Sequence, residues 1–271
     1  MKIISKTTAL LFTVLIFSLL PGCGSSSIEQ SLSADERFER GKYKYDQEDF
    51  LDAIDDFTAV TLQFPGSAVA DDAQYYLGEC RFRREEYLLA AYEYENLKKN
   101  MPASSLVPRA QYQIGLCYYD LAPRFTLDQK YSRKAIDEFQ TYIEYYPTDE
   151  LVQDAETKIR ELNNRLAEKD YKTAVLYMKM EYYKAASYYF ESVLEKYHDS
   201  DYAEDAFFGK IRSLVERRKY EDALVEARKF LVKYPASQHK TSVESLQNEI
   251  NDQLKSRSEN KPESTSVRLV N

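Results

Sequence analysis

Nucleophilic or metal chemistry in this chain would have to be built from two histidines and three cysteines. His198 and His239 lie far apart, with no partner at metal-ligand spacing. No histidine stands beside a nucleophile, and no glycine-rich loop could cradle a phosphate. The expectation is a protein that is not an enzyme and holds no cofactor and no metal. Cys23 has a different chemistry open to it. It closes Leu20-Pro21-Gly22-Cys23, after a basic start (Lys2, Lys6) and an apolar run from Ala9 to Leu20. That is the layout of a secretory signal, residues 1–22, and its apolar run is short for a membrane span.

The segment ending at Cys23 resembles a bacterial lipobox, although Pro21 departs from the usual small residue. The resemblance implies that Cys23 becomes the first residue and carries acyl chains such as palmitate. Each buried methylene contributes about 0.8 kcal/mol, so two or more chains anchor a protein stably. Residues 23–33 would then be a flexible, lipidated tether.

Composition narrows the partners. The formal net charge is −8, and removing Met1 to Gly22 takes away two lysines and makes the chain more acidic. Such a chain lacks the cationic surface that releases phosphate counterions, so no nucleic-acid partner is expected. With only 7 Gly and 8 Pro, it is also short of the turns that an all-β sandwich needs.

The elements that would position any site show up as an internal repeat. An aromatic residue is followed three on by Ala, four further by another aromatic, and then by an aromatic-Pro pair and Ser. Phe50, Ala53, Phe57, Phe64-Pro65 and Ser67 form the first copy; Tyr87, Ala90, Tyr94, Met101-Pro102 and Ser104 form the second. Ala135, Phe139 and Tyr146-Pro147 belong to a third. The fourth is Tyr183, Ala186, Phe190, Tyr197-His198 and Ser200, and the fifth is Tyr220, Ala223, Ala227, Tyr234-Pro235 and Ser237. Aromatics three before and four after the Ala share its helix face, and proline ends the helix. Twelve residues ahead of the Ala stands a second small residue: Gly41, Gly78 and Ala174. Gly115 fits once the insert Leu121-Ala-Pro-Arg-Phe-Thr-Leu-Asp128 is allowed for, and Ile211 makes the fifth copy degenerate. Each small residue is expected to mark a crossing point with the Ala of its own repeat.

This spacing resembles the tetratricopeptide repeat. The expected fold is an all-α solenoid of five helix pairs. Residues 34–148 would form repeats one to three. Residues 149–256 would hold repeats four and five and a capping helix on Val243, Leu246, Ile250 and Leu254, leaving 257–271 as a disordered tail. Neither Pro nor Gly occurs between Pro147 and Gly209, which predicts one long helix from about Asp149 to Met180. Cys80 and Cys117 take equivalent places in stacked repeats, about 10 Å apart, too far for a disulfide. Both are expected to be small buried apolar residues.

The resemblance to tetratricopeptide solenoids implies a groove fed by places three before and four after each small residue. These hold Phe38, Tyr45, Tyr75, Phe82, Tyr112 and Tyr119, near the cations Lys42, Arg83 and Arg109. An aromatic ladder beside cations suits an extended segment with apolar side chains and a terminal carboxylate. The same rings could instead pack neighbouring repeats, and spacing leaves both readings open.

Lipobox, five repeats and length together resemble the BamD-type lipoproteins of the β-barrel assembly machine. The residues that carry this lie mainly between Asp120 and Tyr202: the insert, Ala135, Phe139, Tyr146-Pro147, Asp154-Ala155, Leu162, Arg165-Leu166-Ala167, Tyr177 and Tyr183. The insert Leu121–Gln129 is similar to members from Bacteroidetes-like bacteria. The resemblance implies a lipid-anchored protein on the periplasmic face of the outer membrane. Its C-terminal repeats would bind the POTRA domains of the barrel-forming subunit, with Tyr188, Arg217 and Arg218 as docking residues. Its N-terminal repeats would receive unfolded outer-membrane proteins. Two alternatives are another cell-envelope tetratricopeptide lipoprotein, pilotin-like or scaffolding, and a SusD-like nutrient-binding lipoprotein. Against the latter, the chain has no Trp to stack on sugars.

Overall fold

The first helix starts where its cap chemistry is complete. Ser33 accepts from the Glu36 amide while the Glu36 carboxylate accepts from the Ser33 amide, a closed capping box. The structure is a computed structural model and describes residues 32–259. Cys23, the signal segment, most of the tether and the tail beyond 259 lie outside the described residues.

Eleven helices, and no strand among the described residues, follow one another. Five pairs are α1 (Ala34–Asp46) with α2 (Phe50–Gln63), α3 (Ala70–Arg83) with α4 (Tyr87–Asn100), α5 (Val107–Asp120) with α6 (Lys130–Tyr145), α7 (Val152–Lys179) with α8 (Tyr183–Lys196), and α9 (Ala203–Glu216) with α10 (Tyr220–Lys233). A last helix, α11 (Lys240–Glu259), covers the end of the stack through Val243 and Ile250, both buried. It carries helix past Arg257, where the polar sequence was expected to have left it. The contacts run between neighbours in chain order, as in a solenoid. This is the tetratricopeptide-repeat architecture that the spacing predicts.

The glycines among the small residues make room for rings. A Cβ built on Gly41 would sit 2.8 Å from the Phe57 ring, on Gly78 2.6 Å from Tyr94, and on Gly115 2.6 Å from Phe139. Each glycine is thus a notch for the aromatic four residues after the Ala. Tyr94, Phe57 and Phe139 are all fully buried there. The residue three before each small one packs on the same ring: Phe38 on Phe57, Tyr75 on Tyr94, Tyr112 on Phe139 and Tyr171 on Phe190, with centroids 5.8, 5.5, 5.6 and 6.0 Å apart.

Helix ends repeat as closely. The second helix of every pair stops at Phe64, Met101, Tyr146, Tyr197 or Tyr234, with φ between −126° and −133°. Tyr197 stops its helix in this geometry although His198 follows it in place of proline. The turn inside four of the pairs uses a left-handed residue that is not glycine: Glu48, Glu85, Glu181 and Arg218, at φ 57–63°.

The third pair lacks that turn because the insert replaces it. Buried Gln129 organises the insert, its amide donating to the carbonyls of Arg124 at 2.8 Å and Leu127 at 3.1 Å. From α7, Arg165 donates to the Ala122 carbonyl and Lys169 to that of Leu127. The single helix α7 therefore packs on α6 and the insert with its first part, and pairs with α8 through its second. Cys80 and Cys117 are free thiols with no exposed surface. Burial pushes the Cys80 thiol up to about 12 and raises Cys117 as well.

Candidate functional site

Two grooves lie over the first helices of the repeats, one in each half. The first is built from α1, α3 and the start of α5. Its centre is Tyr76, a residue the ladder of spaced positions passes over. The Tyr76 ring stacks on Phe57 (centroids 5.6 Å, planes 21° apart) and meets Phe38 at 6.0 Å and Tyr45 at 5.3 Å edge-on. Lys42 Nζ lies 3.9 Å from its centroid, a cation–π contact. Burial alone would lower the Lys42 pKa, but its contacts with Tyr76 and Asp46 outweigh that and leave it raised.

Beside Tyr76 a cavity of about 250 Å³ is lined by Tyr45, Tyr75, Tyr76, Asp72, Glu79 and Arg109 among others. Arg109 is the exposed cation at its mouth. Burial, with the Glu79 charge behind it, pushes the Tyr45 phenol up to about 12, and raises Tyr75 for the same reasons. Burial and the neighbouring Asp71 raise the Asp72 carboxyl. The groove therefore offers partly buried rings, two carboxylates and one open cation.

The structure thus brings together Phe38, Lys42, Tyr45, Tyr75 and Arg109. It sets the other ladder residues apart. Phe82 packs on Tyr87 at 5.3 Å, and Arg83 pairs with Glu48 at 3.6 Å over the Phe50 ring. Tyr112 is buried and donates its hydroxyl to Asp154, while Tyr119 donates to Glu161 under Lys158. Both partners belong to α7, so the long helix covers the ladder in the third repeat. The Glu161 bond, then burial, pushes Tyr119 up to about 12. In the second half Tyr188 is 67% exposed, edge-on to Tyr189, and Arg218 is exposed at the left-handed turn beside half-buried Arg217.

The second groove is a cavity of about 380 Å³ between α7, α8, α9 and the residue before α11. Tyr171, Met178, Phe190 and Phe208 line it, with Lys179, Arg212 and Glu216 at its rim. His239 stacks on Phe208 (4.4 Å, 12°), and its Nε2 lies 2.6 Å from Asp205 Oδ1. The floor is Gly209, where a Cβ would come within 2.4 Å of Phe190. The sequence signal for this cavity was a glycine inside a helical stretch that otherwise has none, a recognised sign of close approach.

No group of His, Cys, Asp and Glu that could hold a metal occurs among the described residues. Nor is any described helix long and apolar enough to cross a membrane.

Residues 30–213 match the family model YfiO, described as an outer membrane lipoprotein. Among curated proteins no relative is found. Similar solved structures include the TPR2AB domain of yeast Sti1 in complex with an Hsp90 peptide, at 13% identity, TM-score 0.42, 83% of this chain and 86% of that one. A tetratricopeptide repeat protein of Parabacteroides merdae aligns at 15% identity, TM-score 0.35, 83% of this chain and 75% of that one. A tetratricopeptide protein of Thermus thermophilus aligns at 12% identity, TM-score 0.32, 79% of this chain and 98% of that one.

Proposed function

This chain belongs to the YfiO family of outer membrane lipoproteins, and from that premise we propose that it is a non-enzymatic scaffold of the β-barrel assembly machine. Cys23 carries the lipid, and the repeats face the periplasm. The groove of repeats one to three binds an extended segment of an unfolded outer-membrane protein. Tyr45 and Tyr75 hold its apolar side chains in the cavity beside Tyr76, with Phe38 and Lys42 supporting that ring. Arg109 meets its terminal carboxylate. Phe82, Arg83, Tyr112 and Tyr119 extend the same face but act through packing. Repeats four and five dock the POTRA region of the barrel-forming subunit, with Tyr188, Arg217 and Arg218 exposed to or bordering that contact.

The observation that carries this reading is the family match across residues 30–213. The open cation beside partly buried rings supports the substrate part. Depleting the protein should lower many outer-membrane barrels at once; loss of a single barrel, or of none, would contradict an assembly role. A peptide ending in Phe should bind the purified protein. Tyr45→Ala should weaken it by about 2 kcal/mol, roughly thirtyfold. Arg109→Ala should weaken it less, and less still at high salt. Affinity unchanged in both variants, with circular dichroism showing them folded, would mean that the ladder only packs.

A further inference from the structure

The two halves of the molecule are built in one register. Shifting by the interval between Phe50 and Tyr183 carries α2 onto α8, Ala70–Arg83 onto Ala203–Glu216 and Tyr87–Asn100 onto Tyr220–Lys233, end to end. The same shift carries Phe57 onto Phe190, Phe38 onto Tyr171, Tyr45 onto Met178 and Lys42 onto Val175. It carries Tyr76 onto Gly209. All five of those second-half residues line the cavity of about 380 Å³. The cavity is therefore at the place where Tyr76 sits in the first half, with that ring absent and the Phe190 ring set against Gly209.

A compensating exchange of small residues reseats one wall. Gly41, the notch for Phe57, becomes Ala174, whose methyl occupies that notch; on the other side Phe190 lies against Gly209. The rim has changed sign at three places, one of them toward negative, where Arg83 becomes Glu216. Glu79 becomes Arg212, and Asp46 becomes Lys179. Arg212 and Lys179 are exposed and form no ion pair among the described residues. Arg212 lies over the Phe208 ring at 5.9 Å. Of the two carboxylates lining the cavity, Asp205 faces His239 and Glu216 stands one helix turn beyond Arg212.

We propose that this cavity docks a tyrosine or phenylalanine side chain of a partner polypeptide, with a carboxylate next to it in sequence meeting Arg212 and Lys179. The first half supplies the template for the ring: stacked on the residue at Phe190, edge-on to the wall at Tyr171, above the helix floor. Two cations outside any ion pair among the described residues supply the preference for an acidic neighbour. The volume falls in the usual range of ligand pockets, roughly 300–1,000 Å³, so flanking backbone enters with the ring. The site uses no residue of the groove in repeats one to three, and it stands whichever protein presents the segment.

The test is a titration of the purified full-length protein, followed by NMR, with N-acetyl-Tyr-Glu-amide and with N-acetyl-Ala-Glu-amide. The tyrosine probe should give saturable shifts centred on Gly209 and Arg212, and the alanine probe should give none. Arg212→Glu and Lys179→Glu, both surface changes that leave the packing intact, should each weaken binding several-fold or more. Gly209→Tyr should abolish it by restoring the ring of the first half. Because that variant strains Phe190, circular dichroism must show it folded, and the two charge reversals stand without it. Equal shifts from both probes, no saturable shift, or indifference to both charge reversals would overturn the proposal. So would binding that emerges only after residues 260–271 are removed, which would assign the cavity to the chain's own tail. Self-association abolished by Gly209→Tyr would assign it to a second copy instead.

Discussion

Residues 34–100 and 167–233 share helix ends and turn geometry, yet the centre of one groove is filled by a ring and that of the other is open. In the first half Tyr76 belongs to the next repeat along and plugs the space between Phe38, Tyr45 and Phe57. In the second half the same backbone carries Gly209, and a cavity remains. The lesson is about where a repeat protein keeps its freedom to vary. Helix ends and turns recur, while the small residue that receives a ring shifts from Gly41 and Gly78 to Gly209. The residue that reaches over from the following repeat varies as well, and a single position decides between core and binding surface.

The comparison breaks most sharply at Tyr76. Tyr76→Ala should open a first-half cavity like that of the second half. The ring is half-buried and touches four others, so the loss should be about 3 kcal/mol, near the low end for large aromatic truncations. An unfolding free energy from urea denaturation that changes by less than about 1 kcal/mol would mean that the ring does not fill the groove.

A smaller effect separates the two kinds of glycine. Gly78→Ala pushes a methyl against Tyr94, which is fully buried and donates its hydroxyl to Glu79 at 2.6 Å. That ring has nowhere to go, and the overpacking should cost about 1–3 kcal/mol. Gly209→Ala meets Phe190 at still shorter range, but Phe190 borders a cavity and can turn into it. The helix-propensity gain of Ala over Gly, about 1 kcal/mol, should then leave Gly209→Ala neutral or stabilising. Equal melting temperatures for the two variants would show that the notches are alike and the comparison mistaken.

The most gradual difference should come with alkali. Tyr45, Tyr75 and Tyr94 have raised phenol pKa values through burial first and the Glu79 charge second. At the matching places the second half has Met178, Phe208 and Ala227, which do not ionise, although burial raises Tyr171 and Tyr202 there too. A phenol whose folded pKa is raised holds its proton longer in the native state. Its contribution is complete below the unfolded value near 10 and is lost as pH climbs through the folded value, about 12 for Tyr45. Methyl NMR from pH 9 to 12 should therefore show Leu77 and Leu97 loosening before Leu214 and Leu224 (the window being about that of the tyrosine range). Simultaneous loosening would mean that the phenols do not distinguish the halves.

Most of the scaffold was legible in the sequence. The Ala-aromatic-Pro spacing located every helix pair, and the absence of Pro and Gly after Pro147 announced α7. These signals are local, set within one helix or one pair. The ring that fills each glycine notch was not foreseen. An aromatic four positions past the Ala is visible in sequence, but only packing tells that its ring fills the gap. Tyr76 and Gly209 were passed over because their partners lie in the preceding repeat, beyond the period that the pattern follows. The covering of Tyr112 and Tyr119 by Asp154 and Glu161 was hidden for the same reason: it depends on where α7 runs after the insert.

That long helix has a consequence for any ligand with two points of attachment. Asp154 near one end holds Tyr112, and Val175 near the other lines the open cavity. At 1.5 Å per residue, they are about 30 Å apart along one unbroken helix. An extended chain covers at most about 3.5 Å per residue, so two anchors need roughly nine residues between them to span that distance. Shorter spacings would engage one end at a time. Longer ones would gain from the tether and then lose that gain slowly as the loop between them grows. α7 thus fixes the distance between the covered ladder of the third repeat and the open cavity, and a partner reaching from one to the other would be held to that interval.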